Sequence, residues 1–305
     1  MQQQVLLRSA LVARGMSDSQ LLRSRAEGDL VRLRRGAYVR PDGEHLGHED
    51  AHRLLVRATM PLLGPDWSLS HGSAAVLRGL PVWPEALSHV HVTRPRAGGG
   101  RRRTTVHRHG CPLDPGEVGE VDGWPATDLA RTVVDLARSV PFEQGVAAAD
   151  RALALGLTME ELAAAAARAG RLRGAGAARR VVAFADGRSE SVGESLSRVL
   201  LADLGLMPED LQHRVMHGSR LAGRVDFAWP SLRVVGEFDG RVKYGRSLAP
   251  DEDPTKALWR EKVREDLIRD LGWQVVRWVW ADLDDPAAWF ARLERAFARG
   301  HAMPG

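Results

Sequence analysis

Residues 221–244 read LAGRVDFAWPSLRVVGEFDGRVKY, and this stretch decides the fold of the second half of the chain. Residues 223–228 form a short run with Val225 and Phe227 on one face and Asp226 on the other. Trp229, Pro230 and Ser231 supply a turn. Residues 232–238 are β-branched and apolar, as a central strand requires. Glu237 and Asp239 stand two apart, so both side chains leave one face of that strand. Folding the hairpin back brings Asp226 near Glu237, and two or three carboxylates then converge beside a buried strand. Converging carboxylates repel, and hard oxygen donors of this kind select Mg²⁺ or Mn²⁺. A metal held there lowers the pKa of a bound water and clamps a phosphate oxygen. The alternative is a surface hairpin with scattered charges.

The flanks complete an α/β (α+β) unit. A helix near 191–204 gathers Leu196, Val199, Leu200 and Leu204 into one apolar stripe and leaves Glu194, in its first turn, to face the hairpin. A helix over 256–271 repeats Trp259, Val263, Leu267 and Leu271 at every fourth position. Its other face carries Lys256, Arg260, Lys262, Arg264 and Arg269. Residues 273–280, WQVVRWVW, read as a buried strand, and residues 286–299 as a closing helix. The order α-β-β-α-β-α predicts a mixed sheet flanked by helices on both faces.

This half resembles the PD-(D/E)xK nuclease core and, more closely, the domain of unknown function related to very-short-patch-repair endonucleases. The residues that carry the resemblance are Glu194-Ser195, Gly223-Arg224-Val225-Asp226-Phe227, Glu237-Phe238-Asp239-Gly240, Lys243-Tyr244, Trp259-Arg260-Glu261-Lys262, Arg264-Glu265-Asp266 and Gly272-Trp273, in that order. It runs from near Ser189 to Leu283. It implies a restriction-endonuclease-like domain over 186–305 that hydrolyses phosphodiester bonds with Mg²⁺ or Mn²⁺. Glu194, Asp226 and Glu237 would hold or organise the metal, and Asp239 or Lys243 would position or activate water. The family pattern has a Lys two residues after the second acid, where this chain has Asp239. The positive role then passes to Lys243, or to Lys262 reaching in from the following helix.

Upstream, residues 1–43 read as a small winged helix-turn-helix. Residues 5–14 are a helical pattern ending at Gly15, and Ser17-Asp18-Ser19-Gln20 has the spacing of a capping box. Two short strands, 30–33 and 37–40, hinge at Arg35-Gly36. Their tip carries Arg32, Arg34 and Arg35, placed to meet phosphates or a minor groove; the alternative is a solvated basic hairpin.

Residues 44–185 read as a mixed α/β middle domain. Helices are expected at 48–60, 70–77, 125–138, 142–155 and 159–169, with strands at 90–92 and 105–109. Between those strands lies RPRAGGGRRR, whose Arg101, Arg102 and Arg103 would fasten on a phosphate backbone or form a solvated hairpin tip. Arg131 can pair with Asp128 or Asp135 by helical spacing. His89, His91, His107 and His109 alternate along the strands; solvent-facing imidazoles are expected rather than a metal site. Residues 171–176 read as the interdomain linker. The first 185 residues resemble the AbiEi-type antitoxin family of type IV toxin–antitoxin systems. The resemblance rests on Leu33-Arg34-Arg35-Gly36-Ala37-Tyr38-Val39, His71-Gly72-Ser73-Ala74-Ala75, Gly79-Leu80-Pro81, His91-Val92-Thr93 and the run from Thr127 to Leu136. It implies a DNA-binding head of the transcription-regulator kind.

At 305 residues there is room for two or three domains. The formal net charge is +4, almost all of the positive charge being Arg, which suits bidentate phosphate contacts and points to DNA as partner. A single cysteine, Cys111, excludes an intramolecular disulfide and a Cys-based zinc site. No apolar run approaches the roughly 20 residues of a membrane span, and the N-terminal residues do not read as a signal peptide, so a cytoplasmic protein is expected. Two functions follow. One is a metal-dependent endonuclease fused to a DNA-binding head. The other is an antitoxin-like transcriptional regulator, with a possible toxin partner, whose nuclease-like domain is inactive.

Overall fold

In the computed structural model the chain divides between Ala185 and Asp186 into two units. Residues 4–41, 47–95, 101–102, 104–240 and 254–301 are described. The architecture is α+β, with three separate sheets.

The first unit opens with β1 (Leu6–Leu7), α1 (Arg8–Ala13), α2 (Asp18–Ala26), β2 (Val31–Arg34) and β3 (Ala37–Val39). The capping box forms: the Gln20 N–H donates to Ser17 Oγ at 3.2 Å, and the Ser17 N–H to Gln20 Oε1 at 2.8 Å. The helix expected from Val5 starts at Arg8, because Leu6 and Leu7 pair with Tyr38 and Ala37 instead. Gly36, at φ +80, turns β2 into β3. Leu11, Leu21, Leu30 and Tyr38 form the core beneath.

Next come α3 (His48–Thr59), β4 (Ser68–Leu69), α4 (His71–Leu77), β5 (Val90–Pro95), β6 (Arg101–Arg102), β7 (Val106–Cys111), β8 (Val118–Val121) and β9 (Trp124–Thr127). The strand order is β6-β7-β5-β4-β9-β8. β5 and β7 run parallel, so these two strands are not the arms of a hairpin. β6 pairs antiparallel with the outer side of β7. Val56, Leu69, Val90, Val92 and Ala126 pack on one side.

Four helices follow: α5 (Leu129–Ala137), α6 (Phe142–Ala154), α7 (Met159–Arg168) and α8 (Ala175–Phe184). α5 begins later than the sequence suggests because residues 124–127 pair with β8. Asp128 caps it, accepting the Arg131 N–H at 2.7 Å, and the Arg131 side chain turns to Asp135. Residues 171–176 are not the linker. Gly174, at φ +81, caps α8 so closely that a Cβ would stand 2.3 Å from the Arg138 carbonyl oxygen. The division falls after α8.

The second unit contains α9 (Val192–Asp203), β10 (Asp210–His217), β11 (Arg220–Trp229), β12 (Val234–Phe238), α10 (Pro254–Asp270), β13 (Gln274–Trp278), α11 (Trp280–Asp284) and α12 (Pro286–His301). Its sheet runs β10-β11-β12-β13. β12 and β13 are parallel, and the other pairs antiparallel. Sequence reasoning misses β10, whose LQHRVMH pattern carries too few apolar residues to announce a strand. Seven of its eight residues nonetheless pair along β11, Gln212 being the exception. Phe227, Trp229, Trp278, Trp289, Leu201 and Leu293 form one core. Val215, Val225, Ala228, Val235 and Ile268 form a second.

Two glycines set the packing distances. A Cβ on Gly193 would stand 1.9 Å from the Phe238 ring, and one on Gly236 2.5 Å from the Trp278 ring. Ile268 is the buried anchor of α10. Trp259 and Val263, expected on its packed stripe, are 66% and 50% exposed.

Expressed alone, residues 186–305 should unfold in one cooperative transition reported by Trp229, Trp259, Trp273, Trp278, Trp280 and Trp289 fluorescence; a featureless melt would contradict the unit boundary. A second expectation concerns pH. Burial lowers the pKa of His52 from 6.5 to about 4. Between those values the unfolded chain binds the proton and the folded one does not, so stability falls as pH drops through this window. The full effect is about 3 kcal/mol for this group at 1.36 kcal/mol per pKa unit. Urea unfolding from pH 7 to pH 4 should show that slope, and His52→Gln should flatten it by one proton.

Candidate active site

Glu194 lies in the first turn of α9. Ser191 caps the helix, its Oγ accepting the Glu194 N–H at 3.2 Å. The Glu194 carboxylate reaches back in turn: Oε1 accepts the Ser191 hydroxyl at 2.7 Å and Oε2 the Glu190 N–H at 2.8 Å. A capping-box Glu returns to the N–H of the cap residue itself; here Glu194 takes the cap's hydroxyl and the N–H of the residue before it. What also sets this one apart is the third donor, Gln212 Nε2, at 2.9 Å from Oε2, and the neighbour beyond it.

That neighbour is Asp226, half-buried on β11. Its Oδ2 accepts the Phe238 N–H at 2.8 Å, where β11 and β12 stop pairing. Desolvation is the first cause that pushes its pKa up, to about 7; the charge of Glu194 is the second, and Glu237 adds to it. Gln212 also donates to Asp226, in the opposing sense. Burial raises the Glu194 pKa as well. Gln212 adopts a left-handed φ of +53 between the Leu211–Phe227 and His213–Val225 pairings. A residue with a side chain is strained there, and the conformation accompanies an amide that serves both acids.

Glu237 has other company. Its Oε1 meets Arg264 Nη2 at 2.5 Å and its Oε2 meets Arg277 Nη2 at 2.9 Å. Arg277 is its register partner across the parallel β12–β13 pair. Glu261 joins both arginines, and Glu265 joins Arg277 at 3.1 Å. Two guanidinium groups therefore neutralise the acid that the sequence pairs with Asp226. The expected three-carboxylate cluster is thus a desolvated pair, Glu194 and Asp226, beside an ion-paired third member. Asp239 is half-buried, with its N–H on the Trp278 carbonyl at 2.8 Å. Lys262 is exposed, and the residue of α10 that reaches Glu237 is Arg264. Lys243 lies outside the described residues.

Sequence reasoning misses Gln212, because it misses the strand that carries it. It also gives Arg264 and Arg277 no role, although the spacing of Glu261, Arg264 and Glu265 along one helix signals an ion-paired face. As for metal fit, the desolvated pair offers only oxygen donors, the chemistry suited to Mg²⁺ or Mn²⁺ with several waters retained.

In the first unit, Arg32 and Arg35 are exposed. Arg34, expected at a phosphate, is committed to the backbone. Its Nε donates to the Ala58 carbonyl at 2.7 Å and its Nη1 to the Arg35 carbonyl at 2.7 Å, anchoring β2 to α3. Arg101 and Arg102 lie on the edge strand β6, and Arg103 lies outside the described residues. His91 and His109, expected to face solvent, instead face each other and the buried His71, with Nδ1 of His91 3.1 Å from Nε2 of His109. Parallel pairing of β5 and β7 turns their imidazoles to one side.

No family model matches the chain. Two Mycobacterium tuberculosis proteins, the uncharacterised proteins MT2308 and Rv2248, are each 32% identical to it over 280 residues, covering 89% of this chain and 94% of theirs. Among solved structures, the RV2827C protein of M. tuberculosis aligns with a TM-score of 0.39 and 17% identity, over 71% of this chain and 82% of its own.

If the exposed Arg32 and Arg35 contact duplex DNA, replacing either by Ala should flatten the log K against log[salt] slope by about 0.9 for each phosphate no longer neutralised. Arg34→Ala should leave that slope unchanged and lower stability by about 1–3 kcal/mol, since it strips the donors from the Ala58 carbonyl. Fluorescence anisotropy across a KCl series, with urea unfolding alongside, separates the two.

Proposed function

The chain belongs to the family of the Mycobacterium tuberculosis proteins Rv2248 and MT2308, and from its own geometry we propose that it is a DNA-binding protein whose segment 186–305 is a divalent-metal-dependent phosphodiesterase of the PD-(D/E)xK kind. In this reading residues 1–43 are a winged helix-turn-helix that holds duplex DNA through Arg32 and Arg35, and residues 44–185 an AbiEi-like middle domain. The observation that carries the proposal is the desolvated pair of Glu194 and Asp226, met at the end of a ladder by neutral donors. Two carboxylates that share a desolvated place favour either a shared proton or a divalent cation.

Glu194 and Asp226 would hold Mg²⁺ or Mn²⁺, and a bound ion would supply an activated water and charge for a phosphate oxygen. The chain's own part is orientation. Gln212 fixes the two carboxylates relative to each other. The Phe238 N–H holds Asp226 at the sheet end. Arg264 and Arg277 are the guanidinium groups beside the acids, and either can exchange a Glu237 oxygen for a phosphate oxygen with bidentate geometry.

One observation favours a second reading, an antitoxin-like regulator with an inactive nuclease-like domain and a toxin as partner. Glu237 is occupied by two arginines, and Asp239 stands where a lysine would steady the developing charge. One assay separates the two: plasmid, single-stranded DNA and RNA incubated with the full chain in Mg²⁺, Mn²⁺ or EDTA. The nuclease reading expects metal-dependent cleavage that falls more than tenfold in Asp226→Asn and in Glu194→Gln, a barrier change of at least about 1.4 kcal/mol. DNA affinity should be unchanged or tighter in both variants. Tight DNA binding with no cleavage in any metal would establish the regulator instead.

A further inference from the structure

Neither reading uses the imidazoles of the first unit. His71, His91 and His109 each present a ring nitrogen, and these nitrogens lie within 4.8 Å of one another. They come from three elements: the first residue of α4, the second of β5 and the fourth of β7. Parallel pairing sets His91 beside His107 and Thr93 beside His109, so the rings share one face of the sheet. His91 Nδ1 and His109 Nε2 are 3.1 Å apart. Two nitrogens on a tetrahedral Zn²⁺ with Zn–N of about 2.0–2.1 Å are separated by about 3.3 Å. The pair therefore already spans one edge of a coordination tetrahedron. His71 stacks on His109 with ring centroids 3.8 Å apart and 14° between planes, so one of these rings must turn to share an ion.

The surroundings hold the rings as a metal site would. His71 has a left-handed φ of +49, an unfavourable conformation for a residue with a side chain. Its Nδ1 is 3.0 Å from Ser70 Oγ, which also accepts the Thr93 hydroxyl at 2.8 Å. A proton on Nδ1 donated to Ser70 leaves Nε2 as the ligand, the usual outer arrangement for a metal-bound imidazole. His91 is fixed through its N–H, which donates to Ser73 Oγ at 2.8 Å. Ser73 is in turn 2.8 Å from His52 Nε2, and His52 Nδ1 is 2.8 Å from the Leu87 carbonyl. A carbonyl only accepts, so His52 donates from Nδ1, and its Nε2 takes the Ser73 hydroxyl proton. Burial lowers the pKa of all three imidazoles, which keeps them neutral with lone pairs available. The nearby cations Arg131 and Arg138 are both paired with Asp135, which softens their opposition to a bound cation.

We propose that His71, His91 and His109 form a transition-metal site, filled by Zn²⁺ and separate from the carboxylates of the second unit. Three neutral imidazoles suit Zn²⁺ and the later divalent metals rather than Mg²⁺. The fourth position falls to water or to His107, whose ring lies 4.1 Å from that of His109.

The full chain, stripped with chelator, loaded with Zn²⁺ and desalted, should retain one equivalent by elemental mass spectrometry. His91→Gln and His109→Gln should each weaken Zn²⁺ binding at least tenfold, while Asp226→Asn retains the ion. Extended X-ray absorption at the zinc edge of the native chain should show outer-shell scattering from three or four imidazoles, a readout that needs no variant to fold. Native chain that retains no zinc, folded variants that bind it as tightly as the native chain, or a zinc shell without imidazole scattering would each overturn the proposal.

Discussion

Asp226 sits at the point where β11 and β12 stop pairing, and its Oδ2 takes the N–H that the ladder no longer serves. This hydrogen bond ties the chemistry of the second unit to its fold. A carboxylate is there because a backbone donor at a sheet end needs an acceptor, and the position brings desolvation with it. Glu194 arrives for a similarly local reason, as the acid of a helix start. Two ordinary backbone needs thus bring two anions together. Like charges in low dielectric raise each other's pKa, and among the described residues the donors that meet this pair are neutral. Glu237 shows the other solution: a register partner, Arg277, and a helix residue, Arg264, discharge it directly.

The first unit supplies the contrast that gives this arrangement meaning. Arg131 is buried with Glu117 at 2.8 Å and Asp135 at 2.9 Å, and Arg168 and Arg138 balance the outer oxygens. Every charge there has an opposite within reach, and the network bolts α5 to the chain entering β8. Removing one partner of such a buried pair costs about 3–5 kcal/mol, because the other is left uncompensated. This network is explained by stability alone. The Glu194–Asp226 pair is not, since each acid could serve its own backbone donor without the other, and their closeness adds only like-charge repulsion. A perturbed titration alone does not separate the two cases; the sign and number of the neighbours do.

The hairpin of the second unit is legible in the sequence because its signals are local: alternation in β11, a β-branched run in β12, Pro230 between them. The parallel strand β13 is legible as a continuous apolar run. What escapes depends on contacts between distant residues. β10 is polar along most of its length and is a strand only because β11 offers it an edge. The parallel pairing of β5 and β7 leaves no mark on either strand, and it reverses the expected setting of the histidines. Gly174 reads as flexible linker because a glycine pair carries no hint of the Arg138 carbonyl pressed against it. The stripe of Trp259 and Val263 misleads for the opposite reason. Its helical period is real, but α10 buries Ile268 and otherwise meets the sheet through polar contacts: Arg264 with Glu237 of β12 and the Arg224 carbonyl of β11, and Glu261 and Glu265 with Arg277 of β13.

The two candidate metal centres differ in the property that sorts ions. The second unit offers carboxylate oxygens from a like-charge pair. Hard, strongly hydrated cations gain most there, because the charge of the pair compensates for the waters given up. The first unit offers imidazoles, neutral and short of any anionic donor of their own. Electrostatic attraction is weak in that setting, and binding rests on ligand-field and covalent preference, which Mg²⁺ lacks and Zn²⁺ has. The arginines beside the imidazoles, though paired with Asp135, tip the balance further against an ion held by charge alone. One cation pool would therefore partition between the two proposed sites by donor type rather than by affinity for a common set.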